Sequence, residues 1–237
     1  AGNFHMDVET YESLGGQVAL VTGASRGIGE AIAAKLSGLG ATVYAGARDT
    51  DELSCDDQRP LELDVTSEDD IVEAINVIDD EKGRLDILVN NAGVMDTRVA
   101  LEEMPTGVID RTLSTNLRGP VLLTKYALPL LLLRDGSRVV NVSSGLASLT
   151  GEMGRGMAAY RVSKTGLNGL TVYLDGEYRD QGLIANAVCP GWTRTEMGGP
   201  YAERSPEEGA ETPVWLARFK PRSPSGEFWR DGQVIDW

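Results

Sequence analysis

Histidine and cysteine are nearly missing from this sequence. The only histidine is His5, and the two cysteines, Cys55 and Cys189, lie far apart and form no CxxC motif. A disulfide framework and a histidine-based metal site are therefore not expected. Sparse, unpaired cysteine is typical of a reducing compartment, so we predict a cytoplasmic protein that needs no metal.

Long apolar runs are also missing. The most apolar stretch, residues 121–133, is interrupted by Lys125 and Pro129, which favours a buried helix over a membrane span. The first ten residues have neither the basic end nor the apolar centre of a signal peptide. We interpret residues 1–6 as a tag remnant or a disordered leader, and residues 7–237 as a single domain.

Lysine is scarce while acidic residues are abundant. Only five of the 22 basic residues are lysines, and 36 acidic residues give a net charge of −14. The acids cluster in residues 49–57, 67–70 and 79–82. This charge argues against nucleic acid or an anionic membrane as a partner. Two interpretations remain open: an ordinary acidic protein, or adaptation to a high-salt cytoplasm, which predicts gains in stability and activity in molar KCl.

Strand and helix patterns alternate along the chain, without internal repeats. Apolar, β-branched runs predict strands at residues 16–24, 41–48, 61–65, 85–93, 137–144, 183–191 and 226–237. Helical spacing predicts helices at 28–39, 70–82, 105–117 and 121–133, and one through Tyr160 to about Asp180. This alternation predicts an α/β fold, a doubly wound parallel sheet with helices on both faces. The connection between the second and third strands is too short for a full crossover helix.

A glycine-rich turn, TGASRGIG (residues 22–29), joins the first predicted strand to the first helix. Gly23, Gly27 and Gly29 allow a tight turn and close approach of a bound group. The helix that follows offers free N–H groups and a positive dipole end to a pyrophosphate. The spacing is GxxxGxG rather than GxGxxG, and it indicates a dinucleotide site or simply a tight turn.

Tyr160 and Lys164 lie four residues apart, on one face of a predicted helix. An ammonium near a phenol favours the phenolate, so the pKa of Tyr160 is predicted to fall from about 10 toward neutral pH. Such a phenol exchanges a proton with a carbonyl oxygen. The alternative is an exposed tyrosine beside a solvated lysine.

Further polar residues follow the predicted strands, at the edge where open parallel sheets bind ligands. Asp64 ends the third strand and is either a ligand contact or a turn aspartate. NNAG (residues 90–93) ends the fourth strand, and NVSSG (residues 141–145) ends the fifth. Asn116 lies within a predicted helix, where a buried amide requires partners.

Seven motifs resemble those of the short-chain dehydrogenases/reductases, in the same order and over nearly the whole chain: TGASRGIG, LDVT, NNAG, TNLRG, NVSSG, YRVSK and CPGWTRT. CPGWTRTEMGG and SPEEGAETPVWLA resemble the carbonyl reductase branch. The resemblance implies a Rossmann-type fold and hydride transfer with a nicotinamide cofactor. It makes Tyr160 the acid/base and Lys164 the residue that holds the cofactor ribose and lowers the tyrosine pKa. It gives the substrate oxygen to Ser144, with Ser143 as the competitor, and a water-mediated proton relay to Asn116.

The same resemblance implies a cofactor site and a cofactor preference. The residues that it assigns to the cofactor are Gly23, Ser25, Arg26, Gly27, Ile28, Gly29, Arg48, Asp64, Val65, Asn91, Ala92, Gly93, Tyr160, Lys164, Pro190, Gly191 and Thr193. NAD-preferring members carry an acid at the end of the second strand, where this chain has Ala47 and then Arg48. With Arg26, this suits a 2′-phosphate, so NADP(H) is predicted over NAD(H), although Asp49 and Asp51 weaken the argument.

Substrate access and assembly are predicted more coarsely. Ser144 and Tyr160 are 16 residues apart, longer than the common family spacing, and the extra residues in 148–156 are expected at the mouth of the site. Residues 192–212 are expected to form a mobile lid. Trp192, Met197, Met153 and Met157 either line an apolar pocket or pack in the core. A long helical insertion associated with monomers is absent, so a homo-dimer or homo-tetramer is expected.

The predicted function is a reversible, NADP(H)-dependent reduction of an aldehyde or ketone. Its partner is a small carbonyl or alcohol substrate. The alternatives are an alcohol or sugar dehydrogenase working oxidatively, and a dinucleotide-sensing protein that has lost catalysis. The sequence does not choose the substrate.

Overall fold

A computed structural model of the protein describes residues 7–53, 57–96, 98–151 and 153–237. The predicted leader at residues 1–6 and Cys55 lie outside the described residues. Eight strands form one sheet in the order β3-β2-β1-β4-β5-β6-β7-β8. The strands are β1 Val18–Thr22, β2 Thr42–Ala47, β3 Arg59–Glu62, β4 Ile87–Asn90, β5 Arg138–Val142, β6 Ile184–Val188, β7 Phe228–Arg230 and β8 Gln233–Ile235. All neighbouring pairs are parallel except β7–β8.

Helices cover both faces of this sheet, so the predicted α/β fold is confirmed. The helices are α1 Gly27–Gly38, α2 Glu68–Lys82, α3 Thr106–Leu113, α4 Gly119–Leu131, α5 Ala158–Tyr178, α6 Pro206–Gly209 and α7 Glu211–Ala217. A π-helical turn, Ser114–Arg118, joins α3 to α4. None of the described helices is both long enough and apolar enough to cross a membrane.

The hydrophobic core is divided by the sheet into two clusters. One packs α1 and α7 against the sheet and contains Trp215, Phe219 and Trp229, whose rings meet edge to face at centroid distances of 4.7–5.9 Å. The other packs α2 and α4 and part of α5 on the opposite face. A sheet covered in this way is rigid, so side chains at the carboxyl ends of its strands are held in fixed relative positions.

Two strands differ from the sequence prediction. β3 begins and ends earlier than residues 61–65, because on this edge of the sheet only Leu61 of the strand needs to be buried. Asp64 therefore lies beyond the strand. The last segment is a hairpin rather than one strand: Asp231 and Gly232 adopt positive φ values of 52° and 70° between β7 and β8. An Asp-Gly pair is a common two-residue hairpin turn, and this signal was present in the sequence.

The strand order reverses between β1 and β4, which creates the crevice where open α/β sheets bind ligands. From the carboxyl end of β1 the chain enters α1, which packs on one face of the sheet. From the end of β4 it leads through α3 to α4, which packs on the other face. The motifs singled out from the sequence follow β1, β4, β5 and β6, so the fold gathers them at one edge.

Candidate active site at the carboxyl edge of the sheet

The glycine-rich turn is shaped so that side chains are excluded from it. A Cβ atom built on Gly29 would lie 2.1 Å from the carbonyl oxygen of Gly23 and 2.4 Å from Asn91 Nδ2. Gly23 and Gly27 adopt positive φ values of 61° and 59°. Arg26, at the N-cap of α1, gives the helix no side-chain cap. A close-approach cradle at an uncapped helix N-terminus fits a diphosphate group.

Thr22 connects the turn to the NNAG segment, and sequence reasoning missed it. Its hydroxyl accepts hydrogen bonds from the backbone N–H groups of Asn91 (3.0 Å) and Ala92 (2.9 Å). In return, Asn91 Nδ2 donates to the carbonyl oxygens of Thr22 (3.1 Å) and Gly23 (3.2 Å). The ends of β1 and β4 are thereby fixed to each other. A threonine as the last residue of a buried strand was the available signal.

Asn116 is completely buried, and its amide has the partners that burial requires. Its Oδ1 accepts from Val94 N at 2.8 Å, and its Nδ2 donates to Val94 O at 2.7 Å and to Ser163 Oγ at 3.1 Å. Ser163 Oγ in turn donates to the carbonyl oxygen of Tyr160 at 2.7 Å. The π-helical turn therefore presents Asn116 to α5, and Ser163 is a second linking residue that the motif YRVSK did not reveal by itself.

Ser144, rather than Ser143, lies beside the phenol of Tyr160. The Ser144 hydroxyl accepts from Leu146 N at 3.1 Å and is near enough to the Tyr160 phenol to lower its pKa. The Ser143 hydroxyl is buried and lies 3.5 Å from the backbone carbonyl oxygen of Lys164. Of the two candidate serines, Ser144 is the one that affects the pKa of Tyr160.

The pKa of Tyr160 is not lowered, contrary to the sequence prediction. The side chain is 5% exposed, and burial raises its pKa to about 12. The nearby Ser144 hydroxyl lowers this pKa, whereas the nearby Cys189 and Asp96 raise it. The spacing of Tyr160 and Lys164 correctly suggested proximity but could not show that both groups are cut off from water, which disfavours their charged forms.

Lys164 is buried too, and burial lowers its pKa to about 8. Its Nζ donates to Val142 O at 2.9 Å and lies 5.8 Å from the centre of the Tyr160 ring. A Cβ atom built on Gly93 would lie 3.4 Å from both Lys164 Nζ and Asn116 Oδ1. The motifs NNAG, TNLRG and YRVSK, which are distant in sequence, therefore come together around Lys164.

Other predicted cofactor residues occupy the same edge with varied roles. Asp64 forms a turn, since its Oδ1 accepts from Thr66 N (2.9 Å) and Thr66 Oγ1 (2.7 Å). Val65 is buried, and a Cβ atom on Gly119 would lie 2.9 Å from its carbonyl oxygen. The hydroxyl of Ser25 donates to Glu52 Oε2 at 3.4 Å, which brings a carboxylate to the glycine-rich turn.

The two arginines predicted to bind a 2′-phosphate are both exposed. Arg48 follows the end of β2. Arg26 Nη1 forms an ion pair with Glu196 Oε2 at 2.9 Å, between side chains that are 60% and 75% exposed. Arg26 is thus engaged by the segment that was predicted to be a lid, an arrangement that the sequence did not indicate.

The predicted lid is irregular only in its first part. Residues 206–209 and 211–217 form α6 and α7, and Thr212 is buried. Within the irregular part, Thr193 is buried and its hydroxyl donates to Gly191 O at 3.1 Å. Arg204 donates to Pro190 O at 3.1 Å and forms an ion pair with Asp231. The mobility of this segment stays a prediction.

The four residues proposed to line an apolar pocket separate into two groups. Met157 is 5% exposed and, with a φ of 57°, lies directly before α5. Trp192, Met197 and Met153 are 59%, 42% and 43% exposed. Met157 is therefore a packing residue, and the other three present apolar surface on segments that flank the site.

Comparison with known proteins agrees with this geometry. A model of the short chain dehydrogenase family matches residues 17–206. A carbonyl reductase of Rattus norvegicus, whose name specifies NADPH, is 34% identical over 276 aligned positions, which cover 93% of this chain and 98% of the rat protein.

Solved structures show the same likeness. The ligand-free aldohexose dehydrogenase of Thermoplasma acidophilum is 30% identical with a TM-score of 0.78, covering 87% of this chain and 89% of that one. A short chain dehydrogenase of Burkholderia cenocepacia in complex with NADP is 28% identical with a TM-score of 0.82, covering 91% of this chain and 96% of that one. The protein is therefore an oxidoreductase of the short-chain dehydrogenase/reductase family, with carbonyl reductases among its relatives.

Proposed function

We propose that the protein is an NADP(H)-dependent reductase of small aldehydes or ketones. The observation that carries the proposal is the convergence of Ser144, the buried phenol of Tyr160 and the buried Lys164 one helical turn further on. A hydroxyl pair of this kind binds one carbonyl oxygen from two sides. The family assignment favours catalysis over the alternative of a dinucleotide sensor.

In the proposed mechanism, Ser144 and Tyr160 both hydrogen-bond the substrate carbonyl oxygen. A nicotinamide cofactor, when bound, would supply the hydride, with its two electrons, that reduces the carbonyl carbon and leaves an alkoxide oxygen. Tyr160 donates its proton to that oxygen, which completes the alcohol. Lys164 supplies positive charge near the resulting phenolate, and Asn116 supports the return of a proton through water.

The protonated state of the buried Tyr160 phenol supports the reductive direction. A phenol whose pKa is about 12 keeps its proton at neutral pH and is ready to donate it. Oxidation of an alcohol requires the phenolate as base, which burial opposes. A sugar or alcohol dehydrogenase is the second candidate, favoured by the likeness to the aldohexose dehydrogenase.

The residues present fit a dinucleotide, and several features support NADP(H). The cradle of Gly23, Gly27 and Gly29 would hold the diphosphate at the start of α1, and Lys164 would hold the nicotinamide ribose. β2 ends at Ala47, at the position where NAD-preferring members carry an acid, and Arg48 follows it. The guanidinium of Arg48 would attract a 2′-phosphate. The name of the rat relative specifies NADPH, and the Burkholderia structure is a complex with NADP. A cytoplasmic homo-dimer or homo-tetramer remains part of the proposal.

The first test is oxidation of NADPH, with NADH in parallel, against aldehydes, diketones, quinones and ketosteroids. Turnover with NADPH supports the proposal. Turnover only with sugars or alcohols and an oxidised cofactor would favour the second candidate. Binding of cofactor with no turnover of any substrate would contradict both.

Three variants then test the roles of the residues. Tyr160→Phe should reduce turnover by about 10²–10⁴-fold, because the proton donor is lost, while cofactor binding remains nearly intact. Ser144→Ala should also reduce turnover, whereas Ser143→Ala, its matched control, should retain most of it. Substantial activity in Tyr160→Phe, or equal losses in the two serine variants, would contradict the assigned roles.

A further inference from the structure

Asp96, in the loop that follows β4, contacts the helix that carries Tyr160. Its side chain is buried, at 9% exposure, and its Oδ2 accepts a hydrogen bond from Ala159 N at 3.2 Å. Ala159 lies in the first turn of α5 and directly precedes Tyr160. A carboxylate at this end of a helix interacts favourably with the helix dipole.

The second carboxylate oxygen of Asp96 is not explained by capping. Oδ1 is shielded from solvent and has no hydrogen-bond partner among the described residues. Leaving a buried oxygen without a partner costs free energy, and serine would cap the helix without burying a second oxygen. A buried, unpartnered charge next to reacting groups is a common feature of functional sites.

The groups around the Tyr160 phenol come from four elements. Ser144, after β5, lowers its pKa. Cys189, after β6, and Asp96, after β4, both raise this pKa. Lys164, on α5 itself, lies 5.8 Å from the ring centre. Among these neighbours, Asp96 is the carboxylate, so its negative charge opposes a negative charge on Tyr160.

We propose that Asp96 is a positioning residue of the active site: its carboxylate fixes the first turn of α5 and places a buried acidic group next to Tyr160. This inference rests on the proposed role of Tyr160 as proton donor. It predicts an enzyme biased toward reduction, in which alcohol oxidation requires a high pH.

The discriminating variant is Asp96→Asn, which keeps an oxygen for Ala159 N and removes the charge. We expect the acid limb of the pH profile for alcohol oxidation to move to lower pH, because the phenolate forms more easily. Asp96→Ala should in addition lower the reductive kcat by about tenfold, since the amide of Ala159 loses its acceptor. Glu177→Gln removes an exposed carboxylate from the same helix and serves as the control for net charge.

A purely structural role would lower the activity of Asp96→Asn by the same factor at every pH, and that result would overturn the proposal. An equal shift of the pH limb in Glu177→Gln would also overturn it, because the effect would then belong to overall charge. The proposal is supported if the acid limb of the pH profile for alcohol oxidation shifts in Asp96→Asn and does not shift in Glu177→Gln.

Hydrogen exchange gives a readout that needs no turnover. The amide of Ala159 should exchange faster in Asp96→Ala than in Asp96→Asn or the unmodified protein. Unchanged exchange in Asp96→Ala would contradict the positioning contact. If the unmodified protein turns over no substrate, the proposed function fails, and the exchange rates still decide whether Asp96 fixes α5.

Discussion

Lys164 brings an ammonium group to a place that water barely reaches. Burial lowers its pKa from an ordinary value of 10.5 to about 8, so the folded state disfavours the charged form. Below pH 8 the lysine is protonated in both states, and the folded protein bears the full desolvation cost, about 3 kcal/mol. Between pH 8 and 10.5 this cost disappears, because the unfolded chain then binds more protons than the folded one.

Lys164→Met should therefore stabilise the ligand-free protein at neutral pH while it abolishes turnover. We expect a net gain of about 1–2 kcal/mol, since the lost hydrogen bond to Val142 O offsets about 1 kcal/mol. Denaturant unfolding at pH 7 and above pH 10 measures the gain, which should vanish at the higher pH. Lys125→Met, on α4, is the matched control. A gain that does not depend on pH would contradict the buried-charge account.

At this scale the motifs selected side chains that lie close together at one edge of the sheet, but they did not predict the ionisation of those side chains. The spacing of Tyr160 and Lys164, read alone, predicted a lowered phenol pKa. The outcome depends on the burial of both groups and on Asp96, which no spacing between the two residues can express. Thr22 and Ser163 were missed for a similar reason, because their hydroxyls act through contacts with other elements: Thr22 with the backbone after β4, and Ser163 with the Asn116 amide.

The turn between β1 and α1 leaves almost no room for added side-chain atoms. Gly29→Ala would place a methyl group 2.1 Å from the carbonyl oxygen of Gly23, and neither backbone can yield without moving the turn. We expect a loss of stability of about 1–3 kcal/mol and a weaker affinity for NADP(H). Thermal unfolding and fluorescence titration with the cofactor measure the two effects.

Gly38→Ala provides the matched control at the other end of α1. A Cβ atom on Gly38 would meet nothing within 4 Å, so alanine should be neutral or stabilise the helix by up to about 1 kcal/mol. Cofactor affinity should not change. Equal losses of affinity in the two variants would show that α1 as a whole, rather than its first turn, governs binding.

Most elements could be predicted because their apolar periodicity is long and regular, as in α2 and α5. β3 was displaced because an edge strand with one buried side chain leaves little pattern to detect. The helix α6 within the predicted lid was not anticipated, because it begins at a capping box formed by Ser205 and Glu208 within a polar, proline-containing segment. The boundary depended on local hydrogen bonds rather than on hydrophobicity.

For the whole molecule, strand–helix alternation was sufficient to predict the doubly wound sheet, because parallel strands require crossovers on both faces. The alternation contains no information about assembly or substrate, since both depend on exposed surfaces that periodicity leaves unspecified. The net charge of −14 is the remaining property of the whole molecule, and it predicts a response to salt.

We expect the melting temperature to rise from about 0.1 M to 1 M KCl, because the screening length falls from about 10 Å to 3 Å and acidic side chains repel one another less. Activity should rise in parallel if the composition reflects a high-salt cytoplasm. Sorbitol at matched osmolality controls for solvent exclusion. An unchanged melting temperature would favour the ordinary acidic protein.

Two substitutions on α2 separate net charge from local effects. Asp80→Lys and Asp69→Lys each change the net charge from −14 to −14 + 2 = −12, but they lie at opposite ends of the helix. Both should weaken the salt dependence equally if total charge causes it. At low salt only Asp80→Lys should also stabilise, by about 0.3–1 kcal/mol, because a cation near the last turn complements the helix dipole, whereas Asp69 already complements it in the first turn. If the two variants differ in salt dependence, local pairing rather than net charge governs the response.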